Sequence, residues 1–163
     1  WGYSLGAGVS IDLAANRQRR IAAVIAESPY RLPATPARNM LALKRLPWRI
    51  NLPPALFLLG LSRQRGPRWT GFDRASLARD LNCPLLVIHG DVDEISPLED
   101  GEEIAKAAGV GSDPAAPAKP CTGTLVTLPG ATHFDLWTDP DNAEARKIAT
   151  EAVGRFIRSV VSS

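Results

Sequence analysis

The 163-residue sequence is poor in the residues that build metal centres and disulfide frameworks. It has two cysteines, Cys83 and Cys121, and two histidines, His89 and His133. The cysteines lack metal-ligand spacing, and so sparse a pair excludes the dense bridging of a small secreted scaffold. Charge of one sign is also missing: a formal net charge of +2 is too small to imply nucleic acid as a partner. Long apolar runs are absent too. The longest, around Pro53 to Leu61, falls far short of the roughly 20 residues that a spanning helix needs. The chain opens on Trp1-Gly2-Tyr3 with no basic stretch leading into an apolar one, so no signal peptide is read. That opening reads as a cut rather than a natural start; targeting is therefore unreadable, with the cytoplasm as the default expectation. No internal repeat is visible.

What is present suits one domain with a sizeable core: 45% of residues are hydrophobic and 22% charged. Helical and extended patterns alternate, which predicts an α/β sheet. Residues 5 to 16 read as a helix with Leu5, Val9, Leu13 and Ala14 facing inward. Continuous apolar runs at Ile21 to Ala26, Leu85 to His89 and Thr124 to Leu128 predict parallel strands covered on both faces. Ser96 is placed to cap a helix, with Pro97 at its first position and Glu99 completing a capping box. That helix runs through Ile104, Ala105 and Ala108 to stop near Gly109. Asp139-Pro140 opens the last helix, whose apolar positions are Ile148, Ala149, Ala152, Val153, Phe156, Ile157 and Val160. A Pro/Ala/Gly-rich loop, expected to be mobile, lies between Gly111 and Gly123. Residues 29 to 80 depart from the alternation: Pro47, Pro53 and Pro54 interrupt an apolar and basic stretch, as in a cap or lid built of short helices and turns.

Three motifs carry chemistry. Gly2-Tyr3-Ser4-Leu5-Gly6 is a G-x-S-x-G at the head of the first helix. Such a turn holds a serine in a strained conformation at a strand tip, and its glycines avoid clashes in the tight strand-to-helix passage. The helix N-terminus favours an oxyanion there, with the backbone N–H of Leu5 as one donor. Second, Leu85 to Gly90 leads into Asp91-Val92-Asp93 and Pro97. An acid at the carboxyl edge of the sheet can orient an imidazole; Asp93 is preferred, and Asp91 is read as a turn residue. Third, Leu128-Pro129-Gly130-Ala131-Thr132-His133-Phe134-Asp135 sets His133 on a loop, where catalytic groups concentrate. His89, ending a buried strand, is read as a packed residue. Serine, acid, histidine is the chain order of a nucleophilic triad on an α/β sheet.

On these motifs the sequence resembles the α/β-hydrolase family. Within it, the sequence is most similar to the serine-hydrolase group with serine-aminopeptidase-like and monoglyceride-lipase-like members. The matching stretches begin at Trp1, Pro84 and Leu128: W-G-Y-S-L-G-A-G, P-L-L-V-I-H-G-D-V-D-E-I-S-P and L-P-G-A-T-H-F-D-L-W. The resemblance implies Ser4 as nucleophile, Asp93 as triad acid and His133 as general base of an esterase or lipase-like enzyme with no metal or organic cofactor. It also implies that the nucleophile turn follows the fifth strand of a larger sheet. The chain is thus expected to be the C-terminal half of the fold, with a cap at 29 to 80 and its N-terminal strands missing. The loop that supplies the second oxyanion donor is missing with them, and losing one such donor costs roughly 10² to 10³ in rate. The chain alone is therefore expected to be unstable or inactive without the first half.

Smaller expectations follow. Arg31, Arg38, Lys44, Arg45, Arg49, Arg63, Arg65, Arg68, Arg74 and Arg79 face only Asp73 and Asp80 between residues 31 and 80. With Trp48, Phe57 and Trp69 interleaved, they suit an anionic lipid surface or an acidic substrate, or form a solvated basic cap. Cys83 and Cys121 each precede a strand, and the resemblance implies that those two strands are neighbours, which would bring the pair within reach of a disulfide. A non-catalytic domain that uses its cap to bind a partner is the rival reading.

Overall fold

A computed structural model describes residues 1–16, 21–58, 73–110, 121–134 and 136–162. The sheet has four strands, β1 (Gly2–Tyr3), β2 (Val24–Glu27), β3 (Leu85–Gly90) and β4 (Gly123–Leu128), in the spatial order of the sequence. Every neighbouring pair is parallel, so each connection must cross over a face and all carboxyl ends gather at one edge. Helix α1 (Leu5–Asn16) lies between β1 and β2, α2 (Ala34–Leu43), α3 (Trp48–Leu58) and α4 (Arg74–Arg79) between β2 and β3, and α5 (Leu98–Ala107) between β3 and β4, while α6 (Ala143–Val161) follows β4.

Alternation along the strands divides the core. Val24, Ala26, Leu85 and Val87 face a layer made by α1, α4 and α5; Ile25, Leu86, Ile88 and Leu128 face α6. Both faces of β2 and β3 are covered, which is why their sequences read as unbroken apolar runs. Full burial of side chains such as Leu85 and Ile88 contributes about 1.5–3 kcal/mol each. β4 is an edge strand and leaves Thr124 and Thr127 exposed.

The inward face of α1 differs from the expectation. Ala7, Gly8, Ile11 and Ala14 are buried, whereas Leu5, Val9 and Leu13 are 62%, 51% and 40% exposed. Close packing decides this: a Cβ on Gly8 would stand 2.4 Å from Nε of the buried Arg74, so the small-residue face goes against the sheet and α4. The larger aliphatics, four residues apart, form a stripe beside a groove of about 490 Å³ between α1 and α4.

Caps also shift. Residue Pro97, not Ser96, precedes the first helical residue of α5, and no side chain caps it; the Ser96 N–H is engaged by Asp93 instead. The helix does stop at Gly109, whose φ of 73° suits a residue without Cβ. Asp139 caps a 3₁₀ turn at Pro140–Asn142, and α6 continues from it. On α6, Ala149, Ala152 and Val153 are buried but Ile157 is exposed.

Between residues 29 and 80, α2 and α3 are short helices, α2 with no buried residue. α4 belongs to the body of the fold: it packs on α1 and α5, and Asp73 caps it by accepting from the Ala75 and Ser76 N–H groups. Arg63, Arg65, Arg68 and Trp69 of the basic stretch, the Phe57 side chain, the 111–120 part of the expected loop, and Asp135 lie outside the described residues. Cys83 and Cys121 are adjacent as expected but not joined by a disulfide: the Cys121 thiol donates to the Cys83 carbonyl at 2.6 Å. Among the described residues no helix is long and apolar enough to cross a membrane.

Candidate active site

Parallel strands deliver the predicted residues to one edge. Ser4 follows β1, Asp93 follows β3 and His133 follows β4. Ser4 has a φ of 52°, a left-handed conformation that costs a non-glycine residue about 1–3 kcal/mol. Backbone bonds hold it there: its N–H donates to the Glu27 carbonyl at 2.8 Å, and its own carbonyl accepts from the Ala7 and Gly8 N–H groups at 3.1 and 3.4 Å. A Cβ on Gly2 would lie 2.2 Å from the Gly6 carbonyl oxygen, so the turn requires that glycine; one on Gly6 would meet nothing. The steric need expected of both glycines thus applies to Gly2 alone. Leu5 is the first residue of α1, one of the positions whose N–H has no acceptor within the helix.

The three candidate side chains form one hydrogen-bonded chain. His133 Nδ1 lies 2.7 Å from Asp93 Oδ2, and its Nε2 lies 3.0 Å from Ser4 Oγ. A carboxylate only accepts, so Nδ1–H donates to Asp93 and Nε2 is left to accept the Ser4 O–H. Asp93 Oδ1 accepts from the Ile95 and Ser96 N–H groups at 2.9 and 2.7 Å. Burial alone would raise its carboxyl. The bond from His133 and the backbone N–H bonds outweigh that and hold it below the ordinary aspartate value. Asp93 is therefore the charged acid.

Its competitor Asp91 serves the turn: Oδ1 accepts the Gly130 N–H at 2.7 Å. His89 is fully buried, and its Nε2–H donates to the Ser96 carbonyl at 2.8 Å. Burial holds this imidazole below the ordinary histidine value, so it is neutral near pH 7. It packs under the acid's loop, as expected of it, and Gly101 makes room, since a Cβ there would stand 2.4 Å from His89 Nδ1.

Two contributors were not read from the sequence. Tyr3 donates its hydroxyl to the His133 carbonyl at 2.5 Å, fixing the loop from the strand beside the serine. Glu27, at the end of β2, is a buried carboxylate that accepts from Trp1 and Trp137. Its one sequence signal is an acid closing the apolar run Ile21 to Ala26. Among the described residues no group of three or more His, Cys, Asp and Glu side chains is arranged to hold a metal ion.

No protein-family model matches the sequence, and no curated protein is a match. Solved structures are similar in fold. A non-heme bromoperoxidase of Mycobacterium tuberculosis has a TM-score of 0.58 at 17% identity, over 98% of this chain and 66% of that one. A thermophilic esterase of Thermogutta terrifontis has a TM-score of 0.56 at 23% identity, over 98% and 64%. A monoacylglycerol lipase of Paleococcus ferrophilus has a TM-score of 0.53 at 22% identity, over 94% and 66%. This chain thus spans somewhat less than two thirds of each relative's length. With a parallel sheet flanked by helices on both faces and these likenesses over nearly its whole length, the chain has the α/β-hydrolase fold and represents a part of it.

Proposed function

We propose that the chain carries the nucleophile, base and acid of a serine hydrolase that cleaves carboxylic esters through an acyl-enzyme. The observation that carries this is the unbroken Asp93–His133–Ser4 hydrogen-bond chain, ending on a left-handed serine at the head of α1. In that reading Ser4 Oγ attacks the ester carbonyl carbon while its proton passes to His133 Nε2. The alkoxy C–O bond then breaks, and the same proton leaves with the alcohol. Water, deprotonated by His133, attacks the acyl-enzyme and frees the acid and Ser4. The Leu5 N–H supports the developing oxyanion. An ester is favoured over a peptide because nothing in the sequence suggests a pocket for a free amino terminus.

The activity is assigned to the complete domain, in which a preceding half supplies the second oxyanion donor. Two observations support that dependence: the part-length match to the similar structures and the exposed stripe of Trp1, Leu5, Val9 and Leu13. Covalent labelling by a fluorophosphonate probe tests the reading on the chain, on its Ser4→Ala variant and on the chain joined to its upstream half. Labelling abolished by Ser4→Ala establishes an activated serine. Its absence from every folded form would leave the fold as a non-catalytic binding domain.

The cap is proposed to rest on anionic lipid. Exposed Leu43, Leu46 and Ile50 alternate with exposed Lys44, Arg45 and Arg49 around the α2–α3 turn, and no acid stands between Glu27 and Asp73. Arg31 and Arg74 do not belong to this patch: Arg31 pairs with Asp73 and Glu103, and Arg74 is buried against Tyr30. Sedimentation with anionic and neutral vesicles decides the matter; equal binding to both would end the proposal.

A further inference from the structure

Glu27 has no part in the proton path above, yet it touches both segments whose approach defines the site. Its carbonyl accepts the Ser4 N–H at 2.8 Å. Its side chain is bonded through both oxygens: Oε2 accepts the Trp1 indole N–H at 3.0 Å, and Oε1 accepts that of Trp137 at 2.6 Å. Trp1 leads into the serine turn, and Trp137 lies four residues beyond His133. The two indoles meet edge to face at 5.8 Å. The residue is 5% exposed.

Packing alone does not explain a carboxyl there. Burial raises the Glu27 carboxyl above the ordinary glutamate value, even though Trp137, Trp1 and the nearby His133 all favour its ionised form. A glutamine of the same shape would keep one acceptor and avoid the desolvation of a carboxylate. What glutamine cannot do is accept from both indoles, because one of its two polar atoms is a donor.

We propose that Glu27 is a positioning residue for the reaction, its side chain clamping the histidine loop to the nucleophile turn through Trp137 and Trp1. This rests on the serine-hydrolase reading of Ser4 and His133. A clamp of this kind sets the Ser4–His133 distance, and a shift of about 1 Å in such a distance can cost about 100-fold in rate.

The test compares wild type with Glu27→Gln, Trp137→Phe and the double variant, in whichever form of the protein labels at Ser4. Trp137→Phe keeps an aromatic ring while removing the indole N–H together with part of the ring system, at a half-exposed position, so it remains informative if the buried substitution misfolds. With p-nitrophenyl acetate, each single variant is expected to lose about 10- to 100-fold in kcat with KM within about twofold. The double variant is expected to be no slower than the slower single one, since both break one clamp. In NMR spectra Glu27→Gln should move the Trp1 and Trp137 indole N–H signals and leave that of Trp48 in place. Unmoved indole signals, unchanged kcat, additive losses, or a rise in KM alone would overturn the clamp while leaving the hydrolase reading intact. A wild type with no labelling and no hydrolysis in any form would overturn both.

Discussion

Replacing Asp93 by asparagine tests the acid assignment because the structure dictates how the amide must sit. Asp93 Oδ1 accepts from two backbone N–H groups, at 2.9 and 2.7 Å, while Oδ2 takes the His133 Nδ1–H at 2.7 Å. An asparagine keeps the backbone bonds only with its oxygen in the Oδ1 place, which turns its NH2 toward His133 Nδ1. Two donors cannot share that contact. The imidazole must then carry its proton on Nε2, the tautomer that cannot accept from Ser4. Flipping the amide would restore the histidine contact but set NH2 against two buried N–H groups, at about 1–3 kcal/mol for each one left unpaired. The expected loss is about 10⁴-fold in the rate of acylation, or about 5 kcal/mol of transition-state stabilisation. The fold should survive, because both loop bonds remain. Fluorophosphonate labelling rates with a thermal melt give the readout. Asp91→Asn is the control: its oxygen can still accept from Gly130, so its rate should stay within about twofold of wild type. A folded Asp93→Asn protein labelling at more than about a tenth of the wild-type rate would refute the reasoning, as would a large loss in Asp91→Asn.

The glycines of the serine turn should separate. Gly2→Ala drives a Cβ to within 2.2 Å of a carbonyl oxygen and should lower the melting temperature and abolish labelling of Ser4. Gly6→Ala meets open space and should be neutral or stabilise α1 by up to about 1 kcal/mol; a severe loss in Gly6→Ala would show that the turn is crowded on that side. Acid stability should follow Asp73 and Asp93. Burial opposes the charge of each, but the Arg31 and His133 bonds respectively outweigh it and depress both carboxyls. A depressed folded value stabilises above the ordinary aspartate range and loses that contribution as pH falls through the folded value. Melting temperature should therefore decline below about pH 4, less so in Asp93→Asn; a pH-independent melt between pH 5 and 2 would contradict this. The two buried thiols should react with a maleimide only after denaturation, since burial raises the Cys83 thiol. Fewer than two thiols in denatured, unreduced protein would mean a bond has formed.

Much of this was legible in the sequence, for local reasons. A strand covered on both faces must be apolar throughout, so β2 and β3 announced themselves, with β2 displaced toward Glu27. The run G-Y-S-L-G at the mouth of a helix demanded a tight turn, and Gly2 bears that out with a carbonyl where its side chain would be. The order of Ser4, Asp93 and His133, each just past a strand, placed them at one edge before any distance was known, because parallel strands send their carboxyl ends there, and the structure brings the three side chains together. What the tertiary structure alone decided were matters of facing and pairing. Periodicity admits two apolar stripes on α1, and only the contact of Gly8 with Arg74 chose the small one. Ser96 had the chemistry of a cap, but its buried hydroxyl makes no cap bond, and its N–H donates to Asp93. Glu27 and Tyr3 could not be recognised because their partners lie 110 and 130 residues away along the chain. Sequence patterns report each residue's own conformational demands; a hydrogen bond between distant segments exists only once the sheet has brought its strands side by side.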